Sequence, residues 1–362
     1  TLLGPRIAAD GQWRFPARPD VPQKFRRALV VFEDKRFESH SGIDGLAIAR
    51  ALRLNLERGR VVSGGSTLTM QLARLSRGSR EGVSARTLAA KITEALLALR
   101  IEMTFDKDEI LALYAAHAPF GGNVVGLEAA AWRYFGRGAE SPSWAEGATL
   151  AVLPNNPALV HLKRGRARLQ DRRDFLLRRL HQAGDLSTLD LDLAVGEPLA
   201  AAPHELPDLA PHLLETLRMI HPGRHRLTTT LDARLQAQAT QRVQSHSAQL
   251  ARQQVFNAAA VILDNQTSEV LAYVGNSGNG VAPAPRGYAV DIVRRPRSTG
   301  SILKPLLFAA MLDDGALTPR MLLPDVPTHY EGFSPENFDR QYRGASRADE
   351  ALAQSLNVPA VR

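Results

Sequence analysis

Apolar residues recur at helical spacing through the first half of this chain and gather into short runs in the second. Arg26 to Phe32 is apolar-rich, and Leu46, Ala47, Ala49, Ala51, Leu52, Leu54 and Leu56 predict a helix closed by Gly59. The clearest helix is predicted over Arg86 to Met103. There Ile92, Leu96, Leu99 and Met103 are spaced 4, 3 and 4 apart, which predicts a buried stripe, with Lys91, Glu94 and Glu102 on another side. Asp106 to Tyr114 reads as a short helix capped by Asp106, with Glu109 three residues on. Ser143-Trp144-Ala145-Glu146 opens another, which runs through Leu150 and Leu153 and stops at Pro154. Arg164 to His181 is strongly basic, and its Leu169, Leu176, Leu177 and Leu180 suit an amphipathic helix.

These patterns divide the chain. Residues 1–20 form an N-terminal segment in which Gly11 to Pro16 reads as a strand and turn, and residues 21–184 form a mostly helical domain. Composition shifts at Gly184. Residues 185–226, rich in Leu, Asp, Ala and Pro with weak periodicity, read as an interdomain linker. A second domain is expected over 227–362. Its Thr228-Thr229-Thr230 is β-prone, and Leu231 to Gln254 looks helical. Ala258 to Leu263 and Glu269 to Val274 flank a turn-prone Asp264-Asn265-Gln266-Thr267-Ser268, which reads as a β-hairpin. There is no internal repeat and no low-complexity tract.

Length agrees with more than one domain, since 362 residues exceed a single small core. The absence of Cys excludes disulfides and thiolate metal sites. No apolar run approaches the ~20 residues needed to cross a bilayer. The chain starts at Thr1, so an upstream signal or anchor removed from this segment is the expectation. A formal net charge of +8 favours anionic partners: nucleic acid, acidic lipid or a diphosphate.

Chemistry concentrates near the front. Glu33-Asp34-Lys35-Arg36-Phe37-Glu38-Ser39-His40-Ser41-Gly42 fits E-D-x-x-F-x-x-H-x-G, and Gly64-Gly65-Ser66-Thr67-Leu68-Thr69-Met70-Gln71 fits G-G-S-T-L-T-x-Q. Joining two sugars needs a base on the acceptor hydroxyl and something to stabilise the leaving group; cations suit a departing diphosphate. Glu33 offers the base. Lys91 and Glu94, three residues apart, share a helix face, and Arg74 and Arg86 add positive charge. Asp106-Lys107-Asp108-Glu109-Ile110-Leu111-x-Leu113-Tyr114 and Tyr134-Phe135-Gly136-Arg137 follow in order. Together these motifs resemble the peptidoglycan glycosyltransferases of family 51, whose mostly α domain is lysozyme-like. The resemblance implies that Glu33 is the general base on the acceptor 4-hydroxyl. It implies that Glu94 is a second carboxylate, positioning the donor diphosphate with a weakly bound divalent cation, Mg2+ or Mn2+. Asp34, Phe37, His40, Ser66, Thr67, Gln71, Arg74, Arg86 and Lys91 are placed in the substrate-binding site, with Thr67 and Gln71 on the donor and Lys91 and Arg86 on phosphate. One departure stands out: Tyr114-Ala115-Ala116 replaces the family's Tyr-Leu-Asn.

A second constellation lies downstream. Ser301-Ile302-Leu303-Lys304 fits S-x-x-K, and Ser355-Leu356-Asn357 fits S-x-N. A serine nucleophile needs a nearby base, which a lysine one helical turn later supplies if its pKa is lowered. With the preceding domain, these motifs resemble the transpeptidase domain of class A penicillin-binding proteins, and Ala118-Pro119-Phe120-Gly121-Gly122 with Met70 resembles the branch of that family called 1C. The resemblance implies an α/β, β-lactamase-like domain in which Ser301 forms the acyl-enzyme with a stem peptide or a β-lactam. Lys304 would act as base, and Ser355 and Asn357 would relay protons and orient substrate. No K-[ST]-G triplet occurs in the chain, so an incomplete domain, weak acylation and a natural chain continuing past Arg362 are expected.

The expected function is therefore polymerisation of lipid II into glycan strands, with inversion and release of polyprenyl diphosphate. The expected location is the periplasmic face of the bacterial inner membrane. Expected partners are lipid II, the nascent strand, the membrane surface and other wall-synthesis proteins. The helix after Gly42 and the basic 164–179 stretch are candidate membrane contacts. Three other readings remain: a protein that keeps the fold but only binds wall precursor, a lysozyme-like hydrolase, and nucleic-acid binding. The cationic groups around Lys91 disfavour hydrolysis, which has no diphosphate to hold. The basic helix lacks the interleaved aromatics of a nucleic-acid surface, so no nucleic-acid partner is expected.

Overall fold

The structure is a computed structural model describing residues 1–60, 64–77, 88–155, 165–278 and 287–362. It divides into two units, Thr1–Val293 and Arg294–Arg362.

The N-terminal unit is built on helices. They are α1 (Gln23–Glu33), α2 (Gly45–Arg58), α3 (Leu68–Ser76), α4 (Leu88–Thr104), α5 (Lys107–His117), α6 (Leu127–Phe135), α7 (Trp144–Val152), α8 (Arg166–Gln182), α9 (Thr188–Gly196), α10 (Pro211–Ile220) and α11 (Ala233–Leu250). Its core is the packing of α1, α7 and α8. α1 contributes Phe25, Ala28 and Leu29, three and four residues apart and fully buried. α7 is apolar nearly all round and buries Ala145, Ala148, Leu150, Ala151 and Val152, as a helix with no polar face must. α8 supplies Leu169, Leu176, Leu177 and Leu180, all buried as the spacing predicts. The anticipated cap of Asp106 with Glu109 forms, and at the expected helix start Ser143 pairs with Glu146; each makes a reciprocal capping box.

Sheet is sparse. β1 (Trp13–Arg14) runs parallel to β3 (Val124–Val125), which pairs antiparallel with β2 (Pro119–Gly121). The hairpin anticipated around 264–268 is present: β4 (Ala260–Leu263) pairs antiparallel with β5 (Val270–Val274), with Ile262 opposite Ala272. α11 packs on β5. Residues 185–226, expected as a linker, carry α9 and α10, and α9 packs on α7 and α8 with Ala194 buried. The C-terminal unit holds α12 (Lys304–Asp313), the antiparallel pair β6 (Leu322–Asp325) and β7 (Gly344–Arg347), then α13 (Ala348–Ala353) and α14 (Asn357–Val361).

The structure departs from the sequence pattern in two ways. The α4 stripe expected in the core points outward, with Ile92 at 53%, Leu96 at 63% and Met103 at 81% exposure, while Ala98 is buried. α2 likewise buries only Ala51 and leaves Leu46 at 70%, Leu52 at 62% and Leu56 at 75% exposed. The cause at α4 is close approach. Gly42 has φ +88°, and a Cβ there would lie 2.8 Å from the Ala98 carbonyl oxygen, so the small-residue face of α4 takes the packing. The second departure is at α8, where Arg173 sits inside the apolar stripe. Its guanidinium donates to the Val195 and Glu197 carbonyls and to Asp174, satisfying a charge buried at 1% exposure.

Phe25 is fully buried and meets the Phe120 ring at a centroid distance of 6.3 Å. Phe25→Ala is expected to destabilise the N-terminal unit by about 3–5 kcal/mol, read as a lower urea midpoint with an unchanged slope.

Candidate active site

Glu33 closes α1, and both of its carboxylate oxygens are held. Gln71 Nε2, from α3, donates to Oε2 at 2.9 Å. Asn155 Nδ2, just past the end of α7, donates to Oε1 at 3.0 Å. Gln71 is itself oriented, because the Tyr114 hydroxyl from α5 donates to its Oε1 at 3.2 Å. Burial pushes the Tyr114 phenol well above its ordinary pKa; the negative field of Glu33 adds to this, and Arg74 opposes it. Tyr114 therefore stays protonated and remains a donor. This fixes which end of the Gln71 amide faces Glu33. The result is a half-buried carboxylate fed by two neutral amides, suited to take a proton.

The residue after Glu33 makes a different set of bonds. Asp34 is buried and accepts from His40 Nε2 at 3.0 Å on each oxygen. It also accepts from the Leu68 N–H at the first turn of α3, at 3.0 Å. The Gly42 N–H donates to His40 Nδ1 at 3.2 Å. A backbone N–H can only donate, so that nitrogen is bare and the ring proton sits on Nε2, aimed at Asp34. Thr67 caps α3. Its Oγ1 accepts from the Met70 N–H at 3.1 Å and donates to the Gly42 carbonyl at 2.6 Å. Thr69 donates to Glu102 at 2.6 Å, and Lys107 joins Glu102 to the His40 carbonyl while its ammonium stands 4.5 Å from the centre of the buried Phe37 ring. Asp34, Phe37, His40 and Thr67, all expected to bind substrate, thus use their polar groups and surfaces inside the protein. Thr67 is the plainest difference from expectation, since both hydroxyl functions serve the loop and the helix start.

The remaining candidates of this site are spread around it. Ser66 and Arg74 are exposed. Lys91 is exposed and Glu94 half-buried on α4, which packs against the Gln71 helix α3. Among the described residues no hydrogen bond or ion pair joins Lys91 or Glu94 to Glu33. Arg86 lies outside the described residues. Among the described residues no group of three or more His, Asp or Glu side chains gathers as a metal cage.

The second constellation sits within the C-terminal unit. Ser301 lies in a single 3-10 turn, Gly300–Leu303, ahead of α12. Lys304 Nζ donates to Asn357 Oδ1 at 2.6 Å, to the Ser355 carbonyl at 2.6 Å and to Ser355 Oγ at 3.3 Å. Ser355 adopts φ +55°, uncommon for a residue with a Cβ, and this turns its carbonyl onto the lysine. Asn357 is braced in turn. Its N–H donates to Asn337 Oδ1 at 2.9 Å, and Asn337 Nδ2 donates to the fully buried Asp325 at 2.8 Å. Burial lowers the Lys304 pKa from its ordinary value.

A family model for transglycosylases matches residues 7–181, and one for the penicillin binding protein transpeptidase domain matches residues 258–362. The chain belongs to the class A penicillin-binding proteins. It is 37% identical over 355 residues to penicillin-binding protein 1C of Escherichia coli, covering 98% of this chain and 45% of that protein. It is 30% identical over 358 residues to penicillin-binding protein 1F of Bacillus subtilis, covering 94% and 49%. It is 32% identical over 370 residues to penicillin-binding protein 1B of Vibrio cholerae, covering 96% and 46%. The chain thus spans about half the length of the curated relatives it matches. In this penicillin-binding protein chain, the functional neighbours that motif reading passes over are Tyr114 and Asn155. Tyr114 was visible as the anchor of an altered Tyr-x-x triplet. Asn155 carried no sequence signal beyond standing after the helix-stopping Pro154.

Because burial depresses it, Lys304 is expected to titrate below the other lysines. In 13C-methylated protein its resonance should move at lower pH than the rest, and Asp325→Ala, which loosens the brace behind Asn357, should bring it back toward ordinary values.

Proposed function

We propose that the N-terminal unit polymerises lipid II. The supporting observation is a single carboxylate, Glu33, held at both oxygens by neutral amides and placed beside a protonated tyrosine. In the proposed reaction Glu33 takes the proton of the acceptor sugar's 4-hydroxyl. The freed oxygen pair forms the bond to the donor's anomeric carbon from the face opposite the leaving group, so configuration inverts. The bond from that carbon to the diphosphate oxygen breaks, and its electrons leave with the polyprenyl diphosphate. Lys91, Arg74 and Arg86 supply positive charge for that group, which favours departure without a strong acid.

We further propose a weakly bound divalent cation at Glu94. One carboxylate is a sparse protein ligand, which suits a cation held mainly by substrate phosphate oxygens and water. Bound there, it would neutralise diphosphate charge. In the C-terminal unit, Ser301, Lys304, Ser355 and Asn357 are proposed as a penicillin-binding acylation site that takes stem peptide or β-lactam.

The location proposed is the periplasmic face of the inner membrane. Among the described residues no helix is long and apolar enough to cross a membrane. The outward apolar residues of α2 and α4 support surface contact with lipid instead, since patches this apolar are unusual on a water-facing surface. The nascent glycan strand and other wall-synthesis proteins remain proposed partners.

Glu33→Gln is expected to lower lipid II polymerisation by about 10²–10⁴-fold with the fold retained. Glu94→Gln should lose most activity, and raising Mg2+ should restore part of it. Equal rates for wild type and Glu33→Gln would overturn the reading. In a vesicle flotation assay, Leu52→Asp and Met103→Asp are expected to reduce binding that persists in high salt. Binding abolished by salt alone would assign the contact to the exposed Arg168, Arg172 and Arg178 of α8 instead.

A further inference from the structure

Asn155 combines an exposed position with a single directed contact. It follows α7 by three residues, and its Nδ2 donates to Glu33 Oε1 at 3.0 Å. α7 and α1 are the most extensively packed pair of elements in the unit. At Gly147 a Cβ would stand only 3.3 Å from the backbone of Lys24 and Phe25, so the two helices touch along their backbones. A side chain at the end of α7 is therefore at a fixed distance from one at the end of α1.

Resting on the reading of Glu33 as the base, we propose that Asn155 is a positioning residue for glycosyl transfer: its amide pins one carboxylate oxygen while Gln71 pins the other, setting the plane in which Glu33 meets the acceptor hydroxyl. The residue type suits this role. A primary amide donates without adding charge. A lysine or arginine there would stabilise the carboxylate so strongly that it became a poor base, and an aspartate would force two carboxylates to share a proton. Each Glu33 oxygen keeps a second lone pair for the incoming proton. Other charged and titratable groups stand near among the described residues. The field of Glu33 reaches Tyr114 on α5, as does that of Arg74 on α3. Arg179 on α8 donates to the Val31 carbonyl in the last turn of α1 at 2.6 Å. Asp34 is turned away into its bond with His40. None of these would replace the Asn155 contact at Oε1.

The test separates the contact from the activity. Glu33 is followed by its 13C-carboxyl resonance, assigned by its loss in Glu33→Gln, in wild type, Asn155→Ala and Asn155→Asp. Asn155→Asp is expected to raise the Glu33 midpoint by about one unit or more, and with it the acid limb of the pH profile of kcat/KM, so that activity lost at low pH returns as pH rises. Asn155→Ala is expected to lower kcat by about ten- to a hundredfold with KM little changed, and thermal melting should show all three proteins equally folded. An unmoved Glu33 midpoint in Asn155→Asp, or full kcat in Asn155→Ala, overturns the proposal. A midpoint that shifts in Asn155→Asp while the wild-type chain polymerises no lipid II upholds the contact and sinks the glycosyltransferase reading instead.

Discussion

The first site depends on a buried carboxylate, Asp34, whose oxygens are bonded within the protein. Asp34 is nearly removed from water, and a charge in that position must be matched or it destabilises the fold. It is matched by His40 and by the first N–H of α3, the positive end of that helix. Three chain segments are thereby fixed to one another: the end of α1, the loop through His40 and the start of α3. Glu33 is the neighbour of Asp34, and Gln71 lies one helical turn beyond Leu68. The bond between base and amide at 2.9 Å is a geometric consequence of the Asp34 contact two steps away. Thr67 and Gly42 stiffen the same junction, one by capping α3 and the other by letting the loop approach Ala98.

This arrangement explains why the motifs were easy to find in sequence and harder to interpret there. A motif records which residues must occur together, and both scaffold and chemistry impose that requirement. Of the letters in E-D-x-x-F-x-x-H-x-G, Glu33 is left half-exposed while Asp34, Phe37 and His40 hold the loop. Short-range physics was legible: both capping boxes, the Gly59 helix end and the β4–β5 hairpin depend on neighbours within a few residues. The contacts of Tyr114 and Asn155 were not, because their distances to the Glu33 cluster are set by helix packing across 43 to 122 positions of chain.

Helical periodicity was legible in the same partial way. It located α4 and its apolar stripe correctly but assigned the stripe to the core. Spacing reports that a face is apolar, whereas the identity of the neighbour comes from tertiary contact. On α4 the neighbour is chosen by close approach at Ala98, where only small groups fit, and the large side chains are left outside. α8 shows the converse. Its sequence is strongly basic around a stripe of leucines, yet Arg173 lies within that stripe because the carbonyls of Val195 and Glu197 are there to receive it. Both cases follow from a rule that sequence cannot apply alone: a group is buried when its partners are, whatever its polarity.

The two proposed sites tune their proton carriers by opposite means. At Glu33 the surrounding donors are neutral amides, which hold both carboxylate oxygens without adding charge. At Lys304 the surrounding groups are acceptors, Asn357 Oδ1 and the Ser355 carbonyl, which favour the charged ammonium, while burial favours the free amine. Burial is the stronger influence there, and a lowered lysine pKa is the condition for that nitrogen to take a proton from Ser301 or Ser355. The acceptors then stabilise the ammonium once the proton has arrived. Holding the amine with carbonyl oxygens therefore serves the product of proton transfer, and removing water serves its start. The strained φ of Ser355 fits that division, since it aims one more acceptor at the Lys304 nitrogen.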